Sequence, residues 1–212
     1  MSPRIAFALL SAVFVLAAPA TASGQAPVDE RANAHAFADI GVRLAADFAA
    51  AGETMEARFA AAPACLSAKP LARKLQRAPE RRVEAVFALF GTQVIGDYAR
   101  TVDPSIVQAL AQMHAIPTAE PALRGGRTAW RRIHRVYSGF AALPAADVCR
   151  EARAFVRSGF RRTPAMRRAQ RALHVADHTG GIDRRLARAV TRLEQLGVPA
   201  ADANVFDGPF SD

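Results

Sequence analysis

Among the residues suited to chemistry, His174, Asp177 and His178 stand close together and are of types that bind zinc. Histidines four apart on a helix project to one side and can share a metal ion. Arg167 and Arg171 fall on the same stripe, however, and their charge opposes a divalent cation; spacing offers no third ligand. The stripe is therefore read as a basic face that gains charge below about pH 6.5, and no metal or cofactor is assigned.

Trp130, His134 and Tyr137 share one side of a helix, with His134 at its apolar edge. Such a group can line the pocket of a small-ligand or cofactor carrier, although the commoner outcome is core with a hydrogen-bonded histidine. Asp97 falls within an apolar stripe, where a carboxylate needs a partner. An arginine partner would make it a structural ion pair, and a cleft would make it a candidate general acid. Arg124-Gly125-Gly126-Arg127 reads as a turn whose backbone N–H groups can meet an anion. No GxSxG elbow, phosphate-binding GxxxxGK[ST] loop, HExxH pair or dinucleotide fingerprint occurs, so an enzyme of unreadable class stays only as an alternative, and no catalytic residue is assigned.

Charge carries the sharpest functional signal. Residues 23–120 hold 10 basic and 11 acidic side chains, residues 121–192 hold 17 and 4, and residues 193–212 hold none and 4. The basic block is built almost wholly of arginine and follows helical spacing: Arg127, Arg131 and Arg135; Arg150, Arg153 and Arg157; Arg167, Arg168 and Arg171; Arg184, Arg185, Arg188 and Arg192. At roughly 100° per residue each group lies opposite its helix's apolar side, so the four faces are expected to be solvated together. An amphipathic helix needs a polar face in any case, but that need does not explain the scarcity of acids here. Adjacent guanidinium groups repel, and their planar forks suit phosphate and carboxylate. The expected partner is an anionic envelope polymer, a lipid headgroup or an acidic protein. Nucleic acid is disfavoured because Trp130, Tyr137, Phe155 and Phe160 lie on apolar faces and not between the arginines.

The elements that must position these groups are helices. Pro79 to Arg100 carries Val83, Val86, Phe87, Phe90, Val94 and Tyr98 at three- and four-residue steps, which predicts a central core helix. Before it, Asp29 caps a helix with Phe37, Ile40, Leu44, Phe48, Ala51, Met55 and Phe59 inward, in which Gly52 allows a kink or a division although the stripe stays in register across it. After it, Asp103-Pro104 reads as the start of a new helix with Ile106, Leu110 and Met113 inward, ended by Pro117. Pro121 to Gly126 reads as the longest internal turn, followed by helices over 127–143, 145–160, 164–178 and 182–196. No period-two strand pattern or repeat is present, so the class is all-α, a single-domain bundle of six or seven helices spanning 23–197.

The ends set the compartment. Arg4, the apolar run from Ile5 to Ala18 and Ala20-Thr21-Ala22 predict a signal peptide over 1–22 and hence an exported protein, secreted or held at the cell envelope. Retention of this segment as an anchor is the alternative, and no later segment is apolar enough to span a bilayer. In an oxidising compartment Cys65 and Cys149, the chain's two cysteines, are expected to pair. Residues 198–212, with Asp202, Asp207 and Asp212, read as a loosely held acidic tail able to compete for the basic surface.

Overall fold

The computed structural model describes residues 29–176 and 182–198, and every regular element among them is helical. The expected signal peptide, Asp177 and His178, and the expected acidic tail with Asp202, Asp207 and Asp212 lie outside the described residues. Eight helices follow in order: α1 (Glu30–Ala60), α2 (Ala64–Ser67), α3 (Lys69–Leu75), α4 (Glu80–Ala115), α5 (Pro121–Ala141), α6 (Val148–Arg157), α7 (Pro164–Ala176) and α8 (Ile182–Gln195). Since α2 is a single turn, the architecture is the all-α bundle that the periodicity predicts.

Helix α4, about 54 Å long at 1.5 Å per residue, is the shaft on which two apolar clusters form. Its later turns bury Ile95, Tyr98, Val102, Ile106 and Met113 against α1 and α5, in a cluster that α8 joins by packing on α5. Its first turns bury Ala85, Val86 and Leu89 with Leu75 of α3, Phe155 of α6 and Met166 of α7. The end of α7 reaches the first cluster through Ala176, so α7 lies along the seam between the two.

One expected break and one allowed division do not occur. Pro104 sits inside α4, and Asp103 therefore caps nothing. A proline there removes one helical hydrogen bond and costs about 3 kcal/mol, but Val102 and Ile106 on either side are buried in the same cluster, which holds both halves in line. Gly52 likewise lies within an unbroken α1. The expected turn at Pro121 to Gly126 is instead the first turns of α5, with Pro121 at a helix start where its missing N–H costs nothing. A Cβ on Gly126 would lie 3.0 Å from Ala189 Cβ and 3.3 Å from Phe37 Cζ. That glycine is there to let α5 approach α8 and α1 closely, not to turn the chain. The backbone N–H groups of Arg124 to Arg127 are consequently helical and do not form an anion nest.

The ends of the helices follow from capping chemistry. Asp29 accepts from the backbone N–H of Arg31 and Ala32 at 3.1 and 3.0 Å, and Asp147 accepts from that of Arg150 at 3.0 Å. Helix α6 closes with Gly159 at φ +69° and Phe160 at φ +64°, the Phe160 N–H reaching the Phe155 carbonyl at 2.8 Å while its ring packs edge-on against Phe155. Helix α8 closes the same way through Gly197 at φ +70°, with the Val198 N–H on the Leu193 carbonyl at 3.0 Å. Val198 is thereby buried in the first cluster.

Cys65 and Cys149 form the expected disulfide, closing a separation of 84 residues with Cα atoms 5.8 Å apart. It joins α2 to the first turn of α6 and so staples the second cluster. Phe87, expected inward, is 61% exposed; the buried face of α4 turns instead through Ala85, Val86 and Leu89.

Candidate functional site

Trp130 and Tyr137 of α5 are buried and meet the Phe48 ring of α1 edge-on, with centroids 6.2 and 5.4 Å away. Tyr98 of α4 completes the group, its hydroxyl donating to the Phe48 carbonyl at 3.3 Å and receiving the hydrogen bond of Tyr137. Burial raises the Tyr98 phenol to about 12, offset in part by that hydrogen bond. Burial drives Tyr137 further the same way, helped by the neighbouring Tyr98. These rings are packed against one another as core, the ordinary reading of the Trp130 and Tyr137 pattern.

His134 turns away from them. Its Nε2 lies 3.0 Å from Ser138 Oγ and 3.4 Å from Asp103 Oδ1, and Ser138 Oγ donates to the same Asp103 oxygen at 2.9 Å. Serine, histidine and aspartate are thus adjacent, yet the arrangement is a closed triangle. A nucleophilic triad needs the carboxylate on one ring nitrogen and the hydroxyl on the other; here both face Nε2. The hydroxyl's proton points to Asp103 and not to His134, so the serine–histidine–aspartate relay order is absent, and the triangle ties α5 to α4. Asp103 escaped notice because an aspartate before a proline reads locally as a helix cap.

Asp97 resolves into the structural ion pair. Arg58 of α1 meets one carboxylate oxygen and Arg100 the other, while Arg100 also donates to the carbonyls of Ala141 and Leu143 at 3.2 and 3.3 Å. The cluster therefore fastens α1, α4 and the end of α5 to one another. Glu30 plays a similar part at the opposite end, accepting from Ala119 N–H and Thr118 Oγ1, both at 2.8 Å; those hydrogen bonds hold its carboxyl below the usual range.

The arginines divide by what they touch. Arg127 donates to the carbonyls of Met113 and Ile116 at 3.1 and 3.4 Å, satisfying the end of α4, and is thereby committed to structure. Arg192 pairs with Glu120 at 3.0 Å. Arg153 and Arg167 donate to the carbonyls of Cys149 and Arg162, and Arg150 lies 3.9 Å from Glu151. Arg131, Arg135, Arg157, Arg168, Arg171, Arg184 and Arg188 are exposed and, among the described residues, have no acidic partner.

These side chains do not form one continuous face. Helix α6 belongs to the second cluster, while α8 packs on α5 at the far side of the first, so Arg157 and Arg184 stand on different parts of the molecule. Between them, α7 rests chiefly on α4 and touches α5 less. The gap left between α5 and α7 is a groove of about 290 Å³ bordered by Arg135, Arg168 and Arg171, with Val136, Ala172 and Val175 supplying apolar wall. Val175 is 64% exposed, and a Cβ added to Gly139 in the same wall would meet nothing within 4 Å. The arginines of this groove were legible as helix-face charge. Its apolar lining was not, because spacing along the chain does not show whether Val136 and Val175 meet a neighbouring helix or border a groove.

Among the described residues no three histidine, cysteine or acidic side chains are arranged to hold a metal, and no helix is long and apolar enough to cross a membrane. Compared with family models, curated proteins and solved structures, the chain shows no match.

Proposed function

We propose that this is an exported, non-enzymatic helical protein that binds an anionic surface or partner of the cell envelope through the arginines of α5 to α8. The observation that carries the reading is the set of exposed guanidinium groups without acidic partners among the described residues, from Arg131 on α5 to Arg188 on α8. Unbalanced like charges at a surface raise the free energy of the isolated molecule and lower it again when an anion arrives. Arginine makes the most of that arrival, since its fork donates two parallel hydrogen bonds to phosphate or carboxylate. The disulfide supports residence in an oxidising compartment. The burial of Trp130, Tyr137 and Phe155 argues against a base-stacking nucleic-acid surface.

Sedimentation with vesicles tests the reading. The oxidised protein should co-sediment with vesicles containing phosphatidylglycerol and not with pure phosphatidylcholine, and raising salt from about 0.02 to about 0.5 M should release it. If it binds neither those vesicles nor a soluble polyanion at low salt, the reading fails.

A further inference from the structure

Resting on that reading, we infer that the groove between α5 and α7 is a binding site for a single-chain anionic amphiphile, a hydrocarbon tail carrying a phosphate or carboxylate head. The argument is complementarity on two counts. Arg135 comes from α5, and Arg168 and Arg171 from α7, so the positive rim is assembled from both walls, and none of the three has a hydrogen-bonding or acidic partner among the described residues. Below the rim the wall is apolar, through Val136, Ala172 and Val175. Val175, at 64% exposure, presents hydrocarbon to water between cationic side chains, an arrangement that a wholly polar ligand leaves uncompensated.

Each of the other anionic ligands satisfies only half of this surface. A free phosphate or a polyanionic sugar would use the guanidinium groups and leave the apolar wall wet. A nucleic acid would need an exposed aromatic face, whereas Phe140, the aromatic residue of the groove, is buried. Size narrows the choice further. At about 290 Å³ the groove lies just below the roughly 300–1,000 Å³ typical of ligand sites, room for part of one chain and not for a two-chain lipid. Head and tail together match the groove: the head is gripped by forks from two helices, and the tail covers the valines.

Titration calorimetry with dodecyl phosphate, kept below its micelle concentration, tests the assignment on the oxidised full chain. Dodecyl phosphate should bind one to one and at least about tenfold more tightly than inorganic phosphate, since several buried methylenes suffice for that factor, and more tightly than a neutral dodecyl glycoside, whose head gives the guanidinium groups no anion. Gly139→Leu fills the groove from a position where an added Cβ has no other side chain or helix within 4 Å, and should cut the affinity by about tenfold or more while leaving the fold and low-salt vesicle binding in place. The pair Arg135→Gln and Arg171→Gln should weaken dodecyl phosphate and spare the neutral glycoside. Dodecyl phosphate binding no tighter than inorganic phosphate, or unchanged in Gly139→Leu, overturns the inference. If vesicles bind and dodecyl phosphate does not, the groove assignment falls alone; if both fail, the anion-binding reading falls with it.

Discussion

Gly126 and Gly139 lie on the same helix in opposite circumstances. A methyl group at Gly126 would press on Ala189 and Phe37, whereas one at Gly139 meets open space. Alanine removes the same backbone entropy penalty at both sites, about 1 kcal/mol in a helix interior. Gly139→Ala should therefore stabilise the protein by about 0.5–1 kcal/mol, a rise of roughly 2–4 °C per kcal/mol in a chain this long. Gly126→Ala should instead lower stability by about 1–3 kcal/mol, because overpacking at a helix crossing outweighs the propensity gain. Equal shifts of the same sign in a thermal melt would remove the close-approach role of Gly126. At this scale, too, the buried phenols set an alkaline limit. Tyr98 and Tyr137 ionise near 10 when unfolded, while burial lifts Tyr98 to about 12 and Tyr137 further. A raised folded value leaves their contribution whole below pH 10 and removes it as pH rises through about 12. Melting temperature followed against pH should fall above 10, and Tyr98→Phe should lessen the slope; an unaltered slope would contradict the assignment.

At the scale of elements, the disulfide and the shaft α4 divide the work of holding the fold. The first cluster draws on long helices, α1, α4 and α5, with α8 against them, while the second rests on short ones stapled by Cys65 and Cys149. Closing so long a loop is worth roughly 4 kcal/mol in unfolded-state entropy. Cys65→Ser with Cys149→Ser should lose about 2–4 kcal/mol, and hydrogen exchange should quicken in α3 and α6 before it does in α5. Uniform quickening throughout would mean that the clusters open together. These elements were largely legible: the stripe from Phe37 to Leu44, the inward Ile106, Leu110 and Met113, and the pairing of the cysteines all follow from periodicity and compartment. Two of the misreadings share one cause. Pro104 and Gly126 carry local penalties that spacing rules treat as breaks, whereas buried neighbours on both sides of each, invisible along the chain, make the helix worth continuing. The Asp103, His134 and Ser138 triangle escaped for the related reason that it joins two helices. Phe87 was misplaced because α4 changes its buried face between its two clusters, and a single stripe cannot describe that.

For the whole molecule, net charge is +9, and residues 121–192 account for +13 of it before the acidic end subtracts. Self-repulsion among exposed guanidinium groups should therefore cost stability in dilute buffer, where the screening length is about 30 Å at 0.01 M. Raising sodium chloride from about 0.01 to about 0.2 M should increase the melting temperature by a few degrees, with phosphate more effective than chloride at equal ionic strength because it also binds. A melting temperature that falls with salt would show that internal ion pairs, such as Arg58 with Asp97, outweigh the repulsion. The fold's path has its own consequence. Helix α8 packs on α1, and a Cβ on Gly197, just past α8, would lie 3.6 Å from Arg31 Nη2 at the start of α1. The eight helices thus trace an almost closed circuit whose first and last turns touch. Joined there by a short linker and opened at the exposed connection between α5 and α6, the same circuit would be a circular permutant, in which α8 leads into α1 and the order of helices begins elsewhere.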